Sequence, residues 1–388
     1  MSKAKLADTE KAVRRRYSRA ARATEPALCC PSSYEPRFLD AIPGEVLERD
    51  YGCGDPTPYV QVGDTVLDLG SGAGKMCFIL AQVVGPSGKV LGVDFTEEML
   101  ALARKHQPEV ARRLGYDNVV FHRGRIQDLA VPLDEVEAYL NARPVRSAAA
   151  LADFEAFCER LRASAPLIAT ESVDVIVSNC VLNLVKESEK EKLFAEMYRV
   201  LRRGGRVAIS DIVSDEDVPA PLKRDPELWS GCLAGAFRED RFLEAFERAG
   251  FHGIQIEKYD EKPWQTVRGI EFRSVTVTAR KGKQGPCLER NLAVIYKGPW
   301  KEVLDDDGHR LRRGQRMAVC DKTYHILTEA PYAEEIIPVP PRQEVPLKKA
   351  RGFACSGDTV RDPRETKGKR YRKTLAATGS VCGPGGCC

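Results

Sequence analysis

The sequence predicts an α/β fold, in which a doubly wound, mostly parallel sheet is followed by a small β-rich domain and flexible tails. An apolar run, Thr65–Leu69, leads into a glycine-rich turn and then into a largely apolar helical segment. A second apolar run, 89–94, ends in an acidic residue about 20 positions beyond that turn. A strand, a glycine turn, a helix and an acidic strand end together are typical of the first unit of such a sheet.

The glycine turn, Gly70-Ser71-Gly72-Ala73-Gly74, indicates the place where the backbone approaches a ligand closely. Asp94 ends the second run, and a carboxylate there can accept hydrogen bonds from both ribose hydroxyls of a nucleoside. A dinucleotide site would instead show the spacing Gly-x-Gly-x-x-Gly. The turn reads Gly70-x-Gly72-x-Gly74, with Asp68 two residues ahead of it, so a dinucleotide is disfavoured.

Later segments continue the same alternation of strand and helix. Strands are predicted at 118–122, 173–179 and 206–211, and an amphipathic helix at 187–201. Ligands of such sheets bind outside the carboxyl ends of the strands. Asp68, Asp94, Asn179 and Cys180 all fall at such ends, which predicts a shared site.

Three cysteines, Cys53, Cys180 and Cys232, lie in segments that have the composition of loops at strand ends. Three convergent thiolates suit a soft, thiophilic centre. A cysteine is also often a small buried apolar residue, which is our expectation for Cys77 and Cys158.

Four motifs then resemble known families. Asp68-x-Gly70-x-Gly72-x-Gly74 resembles motif I of the S-adenosylmethionine-dependent methyltransferases. The three segments that contain Cys53, Cys180 and Cys232 resemble motifs of the arsenite methyltransferase family. These segments are Tyr51-Gly52-Cys53-Gly54, Ser178-Asn179-Cys180-Val181-Leu182-Asn183-Leu184 and Trp229-Ser230-Gly231-Cys232-Leu233-Ala234-Gly235-Ala236. The resemblance covers roughly residues 45–280 and implies a seven-stranded class I methyltransferase sheet that uses S-adenosylmethionine.

For arsenic, the resemblance implies that the thiolates of Cys53, Cys180 and Cys232 hold As(III) with its lone pair toward the methyl group of the cofactor. A thiol reductant, glutathione or thioredoxin, is the implied co-substrate. No general base is needed, because arsenic loses no proton. Since the thiols have a pKa of about 8.5 and must ionise, we expect arsenic affinity to rise with pH near neutrality.

For the cofactor, the resemblance implies that the glycine turn holds the methionine moiety and that Asp94 holds the ribose, while Phe95, Ile126 and Gln127 border the adenine. Ser71 stands where this family usually has cysteine, and serine preserves the turn. The expected cofactor-binding residues are Tyr51, Asp68, Gly70, Ser71, Gly72, Gly74, Asp94, Phe95, Met99, Ile126, Gln127 and Asn179.

Other cysteines have open roles. The family often has an upstream cysteine that pairs with the equivalent of Cys53, so Cys29 or Cys30 is expected either to do this, to relay substrate, or to lie plainly on the surface. Cys382, Cys387 and Cys388 end the chain among glycines and proline, a flexible cluster suited to capturing a soft ion, which Cys355 could join. The alternative for this cluster is a redox-labile tail without a specific ligand.

Composition sets the domain boundaries. We expect an N-terminal extension at 1–44, a methyltransferase domain at 45–282 with a helical insertion at about 131–169, a small β-rich domain at 283–340, and a basic, cysteine-ended flexible tail at 341–388. The β-rich domain is predicted from strand-like runs on either side of Asp305–Gly308. The insertion is expected to act as a lid or a packing layer.

The 388 residues carry a net charge of +4 and contain 13 cysteines. No run of about 20 apolar residues predicts a membrane span, and no secretory signal is evident. We therefore expect a cytoplasmic monomer with reduced thiols. The basic ends could contact nucleic acid, but no recognition fold or aromatic interleaving accompanies them, so solvated tails are favoured.

Two rival functions remain. A methyltransferase of a small organic metabolite would need a general base near the methyl group, and the motifs offer no histidine or tyrosine for this. A non-catalytic metalloid-binding resistance protein would work through the tail, and the intact Asp68 and Asp94 speak against it.

Overall fold

The computed structural model describes residues 9–25, 34–49, 51–355 and 358–368. The chain divides into two compact units, residues 1–282 and residues 283–388. In the described parts of both units, no helix is long and apolar enough to cross a bilayer.

A nine-stranded sheet forms the centre of the first unit. Its strands are β1 (Thr65–Leu69), β2 (Lys89–Asp94), β3 (Val119–Arg123), β4 (Val173–Asn179), β5 (Leu201–Ser214), β6 (Phe237–Arg238), β7 (His252–Tyr259), β8 (Gln265–Val267) and β9 (Ile270–Arg280). Seven strands follow the order β3-β2-β1-β4-β5-β9-β7, while the short β6 and β8 pair with β5 and β9. The first five strands are parallel, and β9 runs antiparallel between β5 and β7. The predicted seven-stranded, mostly parallel sheet is confirmed.

The helices of the first unit are α1 (Thr9–Ala20), α2 (Pro36–Leu39), α3 (Gly44–Leu47), α4 (Lys75–Val84), α5 (Glu97–Leu114), α6 (Leu133–Ala142), α7 (Ala148–Ser164), α8 (Lys190–Val200), α9 (Ala220–Lys223), α10 (Pro226–Ser230) and α11 (Glu239–Arg248). Helices cover both faces of the sheet. One apolar core contains α4 and α5, and a second contains α8 and α11. Because both faces are covered, the central strands are continuous apolar runs, which is why the sequence revealed them.

Strand β5 begins earlier than the sequence predicted. The sequence predicted a helix at 187–201 and a strand at 206–211, but β5 already starts at Leu201. The Gly204 N–H donates to the Lys281 carbonyl at 2.7 Å, and the Lys281 N–H donates to the Gly205 carbonyl at 3.0 Å. Pairing with the chain at the end of β9 therefore draws these glycines into the sheet.

The expected helical insertion comprises α6 and α7. Tyr139 of α6 stacks on Phe157 of α7 with ring centroids 4.4 Å apart. The two helices thus pack on each other through aromatic side chains.

The second unit is β-rich, as predicted. It contains β10 (Leu288–Glu289), β11 (Ala293–Tyr296), β12 (Glu302–Leu304), β13 (Arg310–Arg312), β14 (Arg316–Ala318), α12 (Asp321–Leu327), β15 (Ile336–Val339), β16 (Arg351–Gly352) and α13 (Pro363–Lys367). The strands form a three-stranded sheet of order β14-β11-β15, a β12–β13 hairpin and a β10–β16 pair.

Residues 341–355 and 358–368 differ from the flexible tail that the composition predicted. Here β16 pairs with β10, and Val360 forms a bridge with Met317. Arg361, which is 6% exposed, pairs with Glu289 at 2.8 Å and with Glu365 at 2.7 Å. Pairing of the buried Arg361 with two carboxylates thus helps to order a segment whose proline and charge content is typical of disorder.

Candidate active site

An open cleft of about 1130 Å³, continuous with solvent, lies at the carboxyl ends of β1, β2 and β4. Eleven of the twelve expected cofactor-binding residues line it, and they are Tyr51, Asp68, Gly70, Ser71, Gly72, Asp94, Phe95, Met99, Ile126, Gln127 and Asn179. The exception is Gly74, which caps α4 in a left-handed conformation with φ of 87°. A Cβ there would lie 2.8 Å from the Phe121 ring, so Gly74 serves helix packing rather than the cleft.

The glycine turn and β2 are joined by one carboxylate. Asp94 accepts hydrogen bonds from the Gly72 N–H at 3.0 Å and from the Thr96 N–H at 2.7 Å. Gly70 has φ of 75°, and a Cβ on it would lie 2.5 Å from Val181, so only glycine fits this close approach. Burial raises the pKa of Asp94.

The cleft has both polar groups and an apolar wall, a combination that suits a nucleoside ligand. The Ser71 hydroxyl is buried and has no hydrogen-bond partner among the described residues. An unpartnered buried hydroxyl is costly, and a polar ligand would satisfy it. Phe95, Met99 and Ile126 supply an apolar wall. Behind the turn, the Cys77 thiol donates a hydrogen bond to the Asp68 carboxylate at 3.2 Å. This buried cysteine therefore has a polar contact in addition to the apolar packing that we expected.

The N-terminal helix α1 also lines the cleft, which the sequence analysis missed. Glu10, Val13 and Tyr17 face it. Arg16 donates to the Ser230 hydroxyl at 3.1 Å, which ties α1 to α10. The apolar residues of α1 recur at helical spacing, but the many arginines between them concealed that signal.

Cys53, Cys180 and Cys232 come together in one buried cluster, with exposures of 3%, 5% and 5%. Cys180 also lines the cleft, and the Cys232 thiol donates to the Cys180 carbonyl at 3.0 Å. We expected three free thiolates, but Cys53 and Cys180 are joined by a disulfide. Convergence on one site brought these two sulfurs within bonding distance, so the partner of Cys53 is Cys180 rather than Cys29 or Cys30. Those two cysteines lie outside the described residues, as do Cys382, Cys387 and Cys388.

Two of the three cysteines have unusual backbone conformations. Cys180 has φ of 59° and Cys232 has φ of 64°, which is the left-handed region that glycine favours. Such a conformation costs a residue with a side chain on the order of 1 kcal/mol or more, and it concentrates at functional sites.

Asn179 fixes the loop that carries Cys53. Its side-chain oxygen accepts hydrogen bonds from the Cys53 N–H at 2.6 Å and the Gly54 N–H at 2.9 Å, and its amide donates to the Gly54 carbonyl at 2.6 Å. A Cβ at Gly52 would lie 2.5 Å from the Asn179 Nδ2. Asn179 therefore has a positioning role in addition to the cofactor role that we predicted.

Asp211 fixes the other two loops, and sequence reasoning gave it no role. Its carboxylate accepts hydrogen bonds from the Leu182 N–H at 2.9 Å and the Asn183 amide at 2.8 Å. The same amide donates to the Cys232 carbonyl at 3.2 Å. Burial raises the pKa of Asp211 to about 7. Asp211 is the last residue of the strand predicted at 206–211, and this position at a strand end was the available signal.

Comparison with known proteins identifies the family. An arsenite methyltransferase from Aquipseudomonas alcaligenes is 34% identical over 323 residues, which cover 79% of this chain and 83% of the relative. The chain belongs to the arsenite methyltransferase family. The human arsenite methyltransferase is 28% identical over 363 residues, covering 89% of this chain and 86% of the relative.

The chain is also similar to a solved structure. It is the arsenic(III) S-adenosylmethionine methyltransferase of Chlamydomonas reinhardtii, with a TM-score of 0.52 and 26% identity over 83% of this chain and 99% of that one. A methyltransferase-domain family model matches residues 61–159 and 141–250. A domain of unknown function (DUF8838) matches residues 283–371, which lie in the second unit.

Tyr17 lines the cleft, and its hydroxyl lies near the sulfur of Cys232, a candidate arsenic ligand. Burial, and next the nearby Cys232 sulfur, raise the pKa of Tyr17 well above its ordinary value. Tyr17 is consequently protonated near neutrality, and its O–H can stabilise a Cys232 thiolate but cannot serve as a base.

Proposed function

We propose that the chain methylates trivalent arsenic, with S-adenosylmethionine as the methyl donor and with Cys53, Cys180 and Cys232 as the ligands of arsenic. One observation carries the proposal. Three cysteines from distant parts of the sequence share one buried cluster, and one of them opens into the cleft where the expected cofactor residues lie.

The cleft residues fit the cofactor. Asp94 would bind the ribose, the turn at Gly70 and Gly72 would admit the methionine moiety, and the unpartnered Ser71 hydroxyl would receive a hydrogen bond or give one. When bound, S-adenosylmethionine supplies a methyl group on a positively charged sulfur, which the arsenic lone pair accepts. The contribution of the protein is to hold arsenic in line with that group.

The cysteines bind the substrate by exchange. Arsenous acid loses three hydroxyl groups, three thiols lose their protons, and three waters leave as three As–S bonds form. Arsenic remains trivalent and keeps its lone pair. Because thiolates are the ligands, binding strengthens as pH rises toward the thiol pKa.

A thiol reductant must act first, because the Cys53–Cys180 disulfide offers arsenic no thiolate. Two electrons and two protons from glutathione or thioredoxin would open it and restore all three ligands. This requirement agrees with a reducing compartment, which we propose to be the cytoplasm.

The rival small-metabolite reaction is less well supported by the cleft. It needs a general base, and Tyr17 is held protonated by its environment. Among the described cleft-lining residues there is no histidine. The non-catalytic rival is also less well supported, because the cofactor residues are assembled around one cavity.

The test is to incubate the reduced chain with S-adenosylmethionine, glutathione and arsenite, and then to separate arsenic species by chromatography with elemental detection. We expect methylated arsenic, and we expect Cys180→Ser to abolish it while leaving cofactor affinity nearly unchanged. Cys158→Ser is the matched control, because Cys158 is a buried free thiol of the insertion helix α7.

Cofactor binding without methylated arsenic would favour the small-metabolite reaction. Arsenic binding without cofactor binding would favour the resistance protein. Methylation that persists in Cys180→Ser would overturn the three-thiolate site.

A further inference from the structure

A second group of three cysteines lies in the second unit. The sulfurs of Cys287, Cys320 and Cys355 are all within 4.8 Å of one another. These residues are far apart in sequence and share no motif. Cys287 and Cys320 lie outside every motif of the sequence, and Cys355 was expected to join the cysteines at the chain terminus.

The β10–β16 pair brings two of these sulfurs together. Leu288 lies opposite Gly352, and the Phe353 N–H donates to the Cys287 carbonyl at 2.9 Å. Cys287 and Cys355 therefore flank the same end of this antiparallel pair.

Cys320 is held in place independently of that pair. It is fully buried between β14 and α12, and its sulfur accepts a hydrogen bond from the Thr323 N–H at 3.3 Å. Arg290 and Asp321 form an ion pair at 2.6 Å, which joins the residue after β10 to the residue after Cys320. Hydrogen bonds and a salt bridge thus hold all three segments, so the cluster does not depend on a bound ion to form.

The number and type of donors favour one ion. Structural zinc sites in proteins almost always take four protein ligands. Among the described residues, this cluster offers three sulfur ligands and no fourth. Trivalent arsenic forms three bonds to sulfur, and three thiolates balance its charge. A neutral complex suits this cluster, because the Cys320 sulfur is excluded from water.

We propose that Cys287, Cys320 and Cys355 form a second As(III) site, which binds arsenic without methylating it. Three thiol protons and three hydroxyl groups of arsenous acid leave as three waters, and arsenic stays trivalent. The choice of ion rests on the proposed function, whereas the site itself rests on the geometry of the second unit. It would assign a ligand to a domain of unknown function.

The experiment isolates this cluster in the full-length chain. The background variant replaces by serine the cysteines of the first site and of both termini, namely Cys29, Cys30, Cys53, Cys180, Cys232, Cys382, Cys387 and Cys388. This protein is reduced, desalted, incubated with arsenite and gel-filtered, and bound arsenic is measured by elemental mass spectrometry. We expect one arsenic per chain, with three sulfur neighbours in X-ray absorption.

Adding Cys287→Ser to the background should remove the bound arsenic, and adding Cys158→Ser should not. Cys287 is half-buried, so its replacement should disturb the fold little. Cys320→Ser provides a second variant, because Cys320 caps α12 and serine is itself a favoured helix cap. Circular dichroism verifies that each variant is folded.

Arsenic content that is unchanged in both folded variants would overturn the proposal. So would one zinc per purified chain that depends on these cysteines and resists displacement by arsenite. Methylation plays no part in this measurement, so a failure of the proposed function would be seen separately, in the wild-type methylation assay.

Discussion

The two three-cysteine clusters differ in their surroundings more than in their donors. Cys53, Cys180 and Cys232 adjoin a cleft lined by the expected cofactor residues, and two of them have left-handed backbone. Cys287, Cys320 and Cys355 follow or precede short strands, and none of them has positive φ. The two proposals thus assign the same kind of ligand to a reaction in one unit and to simple binding in the other.

The backbone explains part of this difference. A left-handed residue directs its side chain where an extended one cannot, so Cys180 and Cys232 occupy positions that ordinary loop geometry would not provide. Retaining that conformation requires support, which Asn183 and Asp211 give through buried hydrogen bonds. The second cluster has ordinary conformations, as expected for a site that has only to bind.

The largest effect should separate the clusters by activity. Cys232→Ser removes one ligand of the first cluster and misaligns arsenic, so we expect methylation to fall at least about 100-fold. The loss of methylation rate caused by Cys320→Ser should be at least tenfold smaller than that caused by Cys232→Ser. Initial rates of methylated arsenic formation at saturating arsenite measure both. Equal losses would show that the clusters act as one site.

A pH effect should follow from Asp211 beneath the first cluster. Its pKa is raised from 3.8 to about 7, so the folded chain keeps a proton that the unfolded chain releases. The contribution of this group to the free energy of unfolding therefore falls as pH rises, by about 2 kcal/mol between about pH 5 and about pH 7. Denaturant unfolding, followed by fluorescence of the buried Trp229, measures this.

Asp211→Asn is the matched variant, because a neutral amide resembles the protonated carboxyl group in shape. The difference in pH dependence between wild type and variant isolates Asp211 from other groups. An unchanged pH dependence in the variant would contradict the assignment.

A smaller effect should arise at the Cys53 loop. Asn179→Ala leaves the Cys53 and Gly54 N–H groups without their acceptor, and we expect arsenite affinity at the first cluster to fall roughly tenfold. Equilibrium dialysis measures the first cluster alone in a background that carries Cys287→Ser together with serine at Cys29, Cys30, Cys382, Cys387 and Cys388.

Asn179→Asp keeps an acceptor for both N–H groups and should recover part of the affinity. Because Asn179 acts on the loop, its loss should change arsenite affinity more than cofactor affinity. The reverse order would indicate that Asn179 acts mainly as a cofactor ligand.

The smallest effect should concern the cofactor alone. Ser71→Ala removes a buried hydroxyl that has no partner among the described residues, so the stability of the free protein should change little. S-adenosylmethionine affinity should fall about fivefold if this hydroxyl bonds the ligand. Isothermal titration calorimetry checks this, with arsenite binding to either cluster as the unaffected control. Unchanged cofactor affinity would remove Ser71 from the site.

The nucleotide-binding half could be predicted because its strands are buried on both faces and its turn needs glycine. Thr65–Leu69 and Val173–Asn179 begin and end where the sequence placed them. The Cys287 cluster could not be predicted, because the pairing of β10 with β16 creates it and the two-residue strands leave no periodic signal. The Asp211 network was missed for a related reason, since burial and hydrogen bonding are properties of the assembled loops.

Arsenic at the first cluster would act on the topology of the chain as well as on its chemistry. The disulfide joins residues separated by 127 positions, and its opening returns conformational freedom to the unfolded chain. An arsenic atom bound to Cys53, Cys180 and Cys232 would restore that loop closure and add a second one, between residues 52 positions apart. The substrate would therefore be a reversible cross-link, and the chain would be most resistant to unfolding while it holds arsenic.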